Sequence, residues 1–288
     1  GEKLSELTEM VLSDLRRLAK TNSYDAPGNL VGDRFDSFFL EGSPTEQTKL
    51  QFALAAKLAL KAQELLAVED LPRSILAYYP MYYDRAETEF RENYLDPDFS
   101  PHRRYARLFT MQSVPCGARV MDLKSSIPLS SVVLGVARMR NVRPALQYCS
   151  ASGWGVWFRS HTDTGYLDEF NEEGLDRFYL RVAQLLRRRK HVRGLVGTSW
   201  FYDPALGEVS PRLAYLYSNP ASRGAFHLKH RTTDFDVQMA LRTSPTRRRL
   251  HEEGKYVPVS YSIVWPREKL LSWAAYHPDP QGSNGGDS

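Results

Sequence analysis

Cysteine is nearly missing: Cys116 and Cys149 are the only two among 288 residues. They form no CxxC pair, which argues against a zinc cage or a disulfide framework and fits a reducing compartment. Long apolar runs are missing as well. A bilayer span needs roughly 18–20 apolar residues, and the run Leu54–Leu60 is short and interrupted by Lys57. The first residues lack the charged-then-apolar layout of a secretory signal. There is no Walker A motif, no Gly-x-Gly-x-x-Gly and no Gly-x-Ser-x-Gly elbow; Gly197-Thr198-Ser199-Trp200 has only the first half of one. Net charge is small, +4. Such an excess suits anionic small ligands, and with no RNA-binding aromatic pattern it argues against nucleic acid. A cytoplasmic protein without a membrane span is the expectation.

What is present is ordinary globular material, 42% hydrophobic and 25% charged. That length suffices for one large domain, or one domain with a helical extension. Aromatics reach 12%, with 16 Tyr, and serve chiefly as packing material.

Leu4, Leu7, Val11, Leu15 and Leu18 recur at helical spacing and predict a helix over 2–20. Glycine and Pro27 predict a loop over 22–43. Ser43-Pro44 is a cap followed by a first-turn proline and starts a second helix reaching Ala67. These helices are expected to cover one face of a sheet; a cap and a dimer surface are the other options, and a homodimer a further expectation. Residues 1–73 read as a helical extension, 74–277 as the α/β domain and 278–288 as a disordered tail. Residues 74–83 are β-prone but interrupted by Pro80. Strands are expected at 105–111, 118–123, 132–139 and 156–160, then a helix at about 167–190 capped by Asp163 or Thr164. Glu87, Glu89 and Glu92 match no metal-ligand spacing and read as a solvated face. So do Arg187–Lys190 and Arg247–Arg249.

The most informative stretch is His191–Arg267. A buried strand runs from Val192 to Tyr202 and stops at Asp203-Pro204. Ser210-Pro211 opens a short helix, and a strand follows at 225–230. Helical material fills 235–253, broken at Ser244-Pro245, and the last strand is 257–265. This β-α-β-α-β order, with Ser244-Pro-Thr-Arg-Arg-Arg-Leu-His-Glu-Glu-Gly-Lys-Tyr256, resembles the second half of the GNAT (Gcn5-related) N-acyltransferases over roughly 154–273. The fold so implied is α/β, a mixed central sheet with flanking helices and the N-terminal helical extension. The activity implied is acyl transfer from CoA, or from an acyl carrier thioester, to the amine of a small molecule or peptide, with no metal. His251 falls where that family often carries the acid for the leaving thiolate. Ser199, Trp200, Phe201 and Tyr202 would line the donor groove, and Ser210 and Arg212 would meet phosphate. Parted strands at 199–202 and 226–230 would flank the thioester, with His227 or His230 as base. The sequence departs from the family at the phosphate loop, where Asp203–Pro211 holds one Gly and two acids.

Ser160-His161-Thr162-Asp163 supports a different class. His-x-Asp at a strand end is two thirds of the metal site of iron and 2-oxoglutarate oxygenases. His227 or His230 would be the distal ligand, and Arg231 or Arg242 would hold the co-substrate. A third class is a non-catalytic binding protein on a decayed acyltransferase fold.

Overall fold

Ser43 and Glu46 cap each other reciprocally and start α3 (Pro44–Val68), as the sequence predicts. The computed structural model describes residues 2–17, 26–39, 43–94, 96, 98–139 and 141–277. Leu18 and the expected tail, 278–288, lie outside these. The chain divides into two compact units, Gly1–Cys116 with Val120–Lys124, and Gly117–Arg119 with Ser125–Ser288. The helical unit thus extends well past residue 73.

In the first unit α1 (Glu2–Arg17) buries Leu4, Leu7, Val11 and Leu15. The expected loop is instead α2 (Ala26–Phe38). Gly28 and Gly32, four apart, lie on one helical face against Arg103, and a Cβ on Gly28 would sit 2.8 Å from the Arg103 carbonyl oxygen. Glycine here allows close helix packing, and Pro27 sits in the first turn, where proline is tolerated. The β-prone segment 74–83 is also helical: α4 (Arg73–Leu76) and α5 (Tyr79–Glu92). Pro80 starts α5 rather than breaking a strand. α6 (Pro101–Arg104) and α7 (Ala106–Phe109) replace the strand expected at 105–111. β1 (Ser113–Pro115) then pairs antiparallel with β2 (Arg119–Ser125), Ser113 opposite Asp122.

Beneath that hairpin lies a buried ionic cluster. Arg107 is paired with Asp122, its Nε donates to Ser113 Oγ at 3.0 Å, and Ser113 Oγ donates to Asp122 Oδ1 at 2.6 Å.

The second unit begins with α8 (Leu129–Met139), where a strand was expected. Burial at 132 and 135, with 136 half-buried, follows a helical period and overrides the β-branched composition. α9 (Arg143–Ser150) and β3 (Val156–Thr162) follow. A 3-10 turn spans Thr164–Glu169, and α10 (Glu172–Arg188) is capped by Asn171, whose side chain accepts from Gly174 N; neither Asp163 nor Thr164 is the cap. β4 (Val192–Ser199) ends in a 3-10 turn, Trp200–Tyr202. Then come α11 (Leu206–Val209), a 3-10 turn at Pro211–Leu213, α12 (Tyr215–Ser222), β5 (Phe226–Lys229), α13 (Asp234–Arg242), α14 (Pro245–Glu252), β6 (Tyr261–Pro266) and α15 (Arg267–Ala275). The break at Ser244-Pro245 is where the sequence puts it.

β3 and β4 are parallel, β4 and β6 antiparallel, β6 and β5 antiparallel. The fold class is therefore α/β with mixed strand pairing and flanking helices, in the order β3-β4-β6-β5 for this unit. One face packs Trp157, Val196, Val264, Phe226 and Leu228 against Ile127, Val132 and Tyr148. The other carries an aromatic group, with Trp265 4.8 Å from Tyr179 and 5.5 Å from Trp273. Gly194 has φ +147 and faces the Trp157 ring; a Cβ there would lie 2.7 Å from it.

Truncating Asp122 strands a buried guanidinium, which typically costs about 3–5 kcal/mol. Asp122→Ala should lower urea-unfolding stability by that order, with hydrogen-exchange protection lost in the first unit. A loss under 1 kcal/mol would show the pair to be dispensable.

Candidate functional site

The backbone register of β3 with β4 stops at Ser160 opposite Gly197, although β3 continues to Thr162 and β4 to Ser199. The amide of Asp163 instead donates to the Ala118 carbonyl at 2.9 Å. The register between the two parallel strands thus stops before their carboxyl ends, the usual location of ligand crevices in parallel sheets.

One side of this end carries Tyr202. The last turn of β4 folds its hydroxyl back over Gly197, where a Cβ would meet Ser160 Oγ at 2.6 Å and Tyr202 Oη at 2.8 Å. Glycine at 197 is therefore a space requirement. Tyr202 Oη accepts from Arg119 Nη1 at 3.2 Å. Arg119 is only 3% exposed. It lies among the rings of Phe170, Phe178 and Tyr202, at 5.7, 5.9 and 6.0 Å. Its Nη2 is buried without a hydrogen-bond partner among the described residues, and no carboxylate among them pairs with it. Beside it a cavity of about 10 Å³, room for about one water, is lined by Arg119, Phe170, Asn171, Leu175, Phe178 and Leu216, at the start of α10. Glu169, at the cavity edge, is paired with Arg181 at 3.3 Å.

The opposite side carries Arg159. Its Nε donates to Ser125 Oγ at 2.8 Å, Nη2 to the Ser126 carbonyl at 2.9 Å and Nη1 to Thr198 Oγ1 at 3.3 Å. Thr198 Oγ1 in turn lies 2.8 Å from Ser262 Oγ.

Of the residues singled out from sequence, Tyr202 belongs to this place. Ser199 caps its own turn, accepting from Phe201 N, and Phe201 packs on Phe170 at 5.3 Å. Trp200 is covered instead by the guanidinium of Arg247, 4.8 Å from its ring. Arg247 is buried rather than solvated: Nε donates to the Ala240 carbonyl at 2.6 Å and Nη1 to Ser210 Oγ at 2.9 Å. Ser210 is thereby occupied, Arg212 is exposed on a three-residue turn, and the expected phosphate site is not assembled. Asp203 accepts from the amides of Ala205 and Val259, and burial raises its pKa. His251 Nδ1 is held 2.9 Å from the Tyr256 carbonyl, so that nitrogen carries the proton. β6 lies between β4 and β5, so 199–202 and 226–230 do not flank an open groove.

His161 and Asp163 end β3, whereas His227 and His230 lie on or just after β5. Three strand spacings, roughly 14 Å, separate these strands, so the oxygenase triad is not brought together. Among the described residues no group of three His, Cys, Asp or Glu could hold a metal ion. Glu89 is paired with Arg85 and Arg104, and Glu87 with Arg91.

His227 is half-buried, its ring 4.5 Å from the Tyr217 ring and tilted to it by 43°, with Nε2 unpartnered among the described residues. Burial pushes its pKa down to about 4. His102, buried against Phe35, is pushed down to about 3 by burial first and Arg103 second. Between these values and about 6.5 the unfolded chain binds protons that the folded chain does not, so stability rises with pH there. Melting temperature should therefore be level above about pH 6.5 and fall toward pH 4. His227→Phe should flatten the second unit's share of that fall, up to about 3 kcal/mol. An unchanged slope in the variant would contradict this. No protein-family model, curated protein or solved structure matches the chain.

Proposed function

We propose that the second unit is an acyltransferase of GNAT type, moving an acyl group from a thioester of CoA or of an acyl carrier to an amine. The observation that carries this reading is the parallel pair β3–β4, joined through α10, whose register stops two residues short of both strand ends. A thioester lying in such a slot can place its carbonyl against strand amides, which stabilise the oxyanion formed on attack. The amine forms the new C–N bond, the C–S bond breaks, and the thiolate needs a proton.

Tyr202 suits that last role better than His251. Its oxygen already accepts from Arg119, so its own proton is left to donate, and it stands over the last paired residue, Gly197. The proton that the amine loses goes to solvent. His227, with its depressed pKa and its place on β5, is a poor base for it.

A panel of CoA, short and long acyl-CoAs and an acyl carrier thioester, read by thermal shift and thiol release with amines, tests this. A donor at a hundred times its Kd should raise the melting temperature by several degrees. Tyr202→Phe should lower kcat about a hundredfold with KM little changed. Silence from every thioester with folded protein would sink the acyltransferase; full turnover in Tyr202→Phe would remove Tyr202 as acid.

A further inference from the structure

We propose that the outer surface of α8 and α9 is a docking surface for an anionic lipid bilayer, which the second unit touches without spanning it. The proposal goes beyond the acyl chemistry and does not rest on it.

Both helices cover the same face of the sheet: Val132 of α8 and Tyr148 of α9 pack with Trp157, Val196, Phe226 and Val264. Their remaining sides therefore form one outer layer. That layer is apolar where the solvent side of a helix is normally polar. Leu129, Val133, Val142 and Leu146 are 62–66% exposed, and Leu134 is 40% exposed. Trp154, 64% exposed, follows α9 with its ring edge-on to Tyr148 at 6.3 Å. Single exposed apolar side chains are ordinary; a group of them on one two-helix layer marks an interaction surface.

The charge around this layer has one sign. None of residues 123–162 is Asp or Glu, although the chain carries 34 of them. Arg138, Arg143 and Arg193 are exposed and have no carboxylate partner among the described residues. Arg138 donates to the neutral His230 carbonyl at 2.8 Å, which leaves its charge unmatched. The stem of Arg193 packs beside Gly155, next to Trp154. Exposed arginines of the first unit and of α14 are neutralised instead, Arg91 by Glu87, Arg104 by Glu89 and Arg249 by Glu253. An apolar surface fringed by unmatched cations, built from a segment without acids, complements a bilayer whose headgroups are negative.

A bilayer suits this surface better than a protein partner does. Protein hot spots are rich in Trp, Tyr and Arg seated in pockets, and Leu and Val are under-represented in them. Here every exposed apolar side chain but Trp154 is Leu or Val, and at that exposure they project from the helices. Acyl chains accept such projections without a matched shape. The indole of Trp154 and the arginine forks suit the headgroup level.

Flotation of the full chain with phosphatidylcholine vesicles, with and without phosphatidylserine, tests this. The protein should float with the phosphatidylserine vesicles, bind pure phosphatidylcholine about tenfold more weakly and come off as salt rises. Arg143→Gln with Arg193→Gln should weaken binding about tenfold or more. Leu134→Gln with Leu146→Gln should weaken it by a similar factor of about ten. Both double variants should keep the wild-type melting temperature, because the four side chains lie on the surface. No binding to phosphatidylserine vesicles, equal binding to both kinds of vesicle, or binding indifferent to both double variants would overturn the proposal. Two further results would reassign the surface. Dimerisation in sedimentation that Leu134→Gln with Leu146→Gln abolishes, with vesicles ignored, would give it to a second copy. Binding through the same residues of a synthetic helix with Leu on one face and Glu on the other, again with vesicles ignored, would give it to an acidic protein. No thioester or amine is present, so these outcomes are separate from the fate of the acyltransferase reading.

Discussion

β6 must lie between β4 and β5, and most of the second unit follows from that. It pairs along one edge with six residues of β4, Gly194 to Ser199, and along the other with all four residues of β5. A strand with both edges paired and both faces covered has to be apolar throughout, and the middle of β6 is Ile263-Val264-Trp265. Because β6 comes last among the strands, β4 and β5 cannot complete their hydrogen bonding until it arrives. The chain between β5 and β6 therefore has to leave the sheet and return. α13 and α14 are that excursion, and Arg247 anchors it by joining Ala240, Ser210 and Trp200 in one buried knot. A cation that looks like part of a surface run is in this way a structural pin.

The insertion also decides where the parallel pair ends. β6 fills the space beyond β4 on one side, β3 is its parallel neighbour on the other, and the register of β3 with β4 stops before the carboxyl ends of both. Tyr202 reaches that end because β4 stops and turns at once, a consequence of Asp203-Pro204, where Asp203 ties the turn to Val259 just ahead of β6. The strand that closes the sheet and the turn that delivers the tyrosine are thus mutually dependent.

The strongly patterned parts of the fold were legible in the sequence. The α3 cap, the α13–α14 break, α10 and the strands β2 to β6 all appear at or near their predicted places, because turn chemistry and periodicity agree there. The failures share a cause. Gly28 and Gly32 signal a loop by composition but work as contact surfaces in α2; Pro80 signals a broken strand but starts a helix; Val132–Val133 signals a strand but buries on a helical period. In each, tertiary packing overrides local propensity, and packing is not written in a ten-residue window. The site was less legible still. Tyr202 was visible as the end of a buried strand, while Arg119 looked like any polar residue in a candidate strand. Nothing local marks a guanidinium as unpaired; that property belongs to the fold, which surrounds it with rings supplied by residues 170, 178 and 202.

Arg119 also bears on how Tyr202 can act. An O–H whose oxygen accepts from a fixed cation has its acceptor side occupied, which turns its proton toward the remaining open direction, above Gly197 and Ser160. The rings of Phe170, Phe178 and Tyr202 surround that guanidinium, so the direction of the hydroxyl is set by the fold, and the proton donor stays where the parallel strands part.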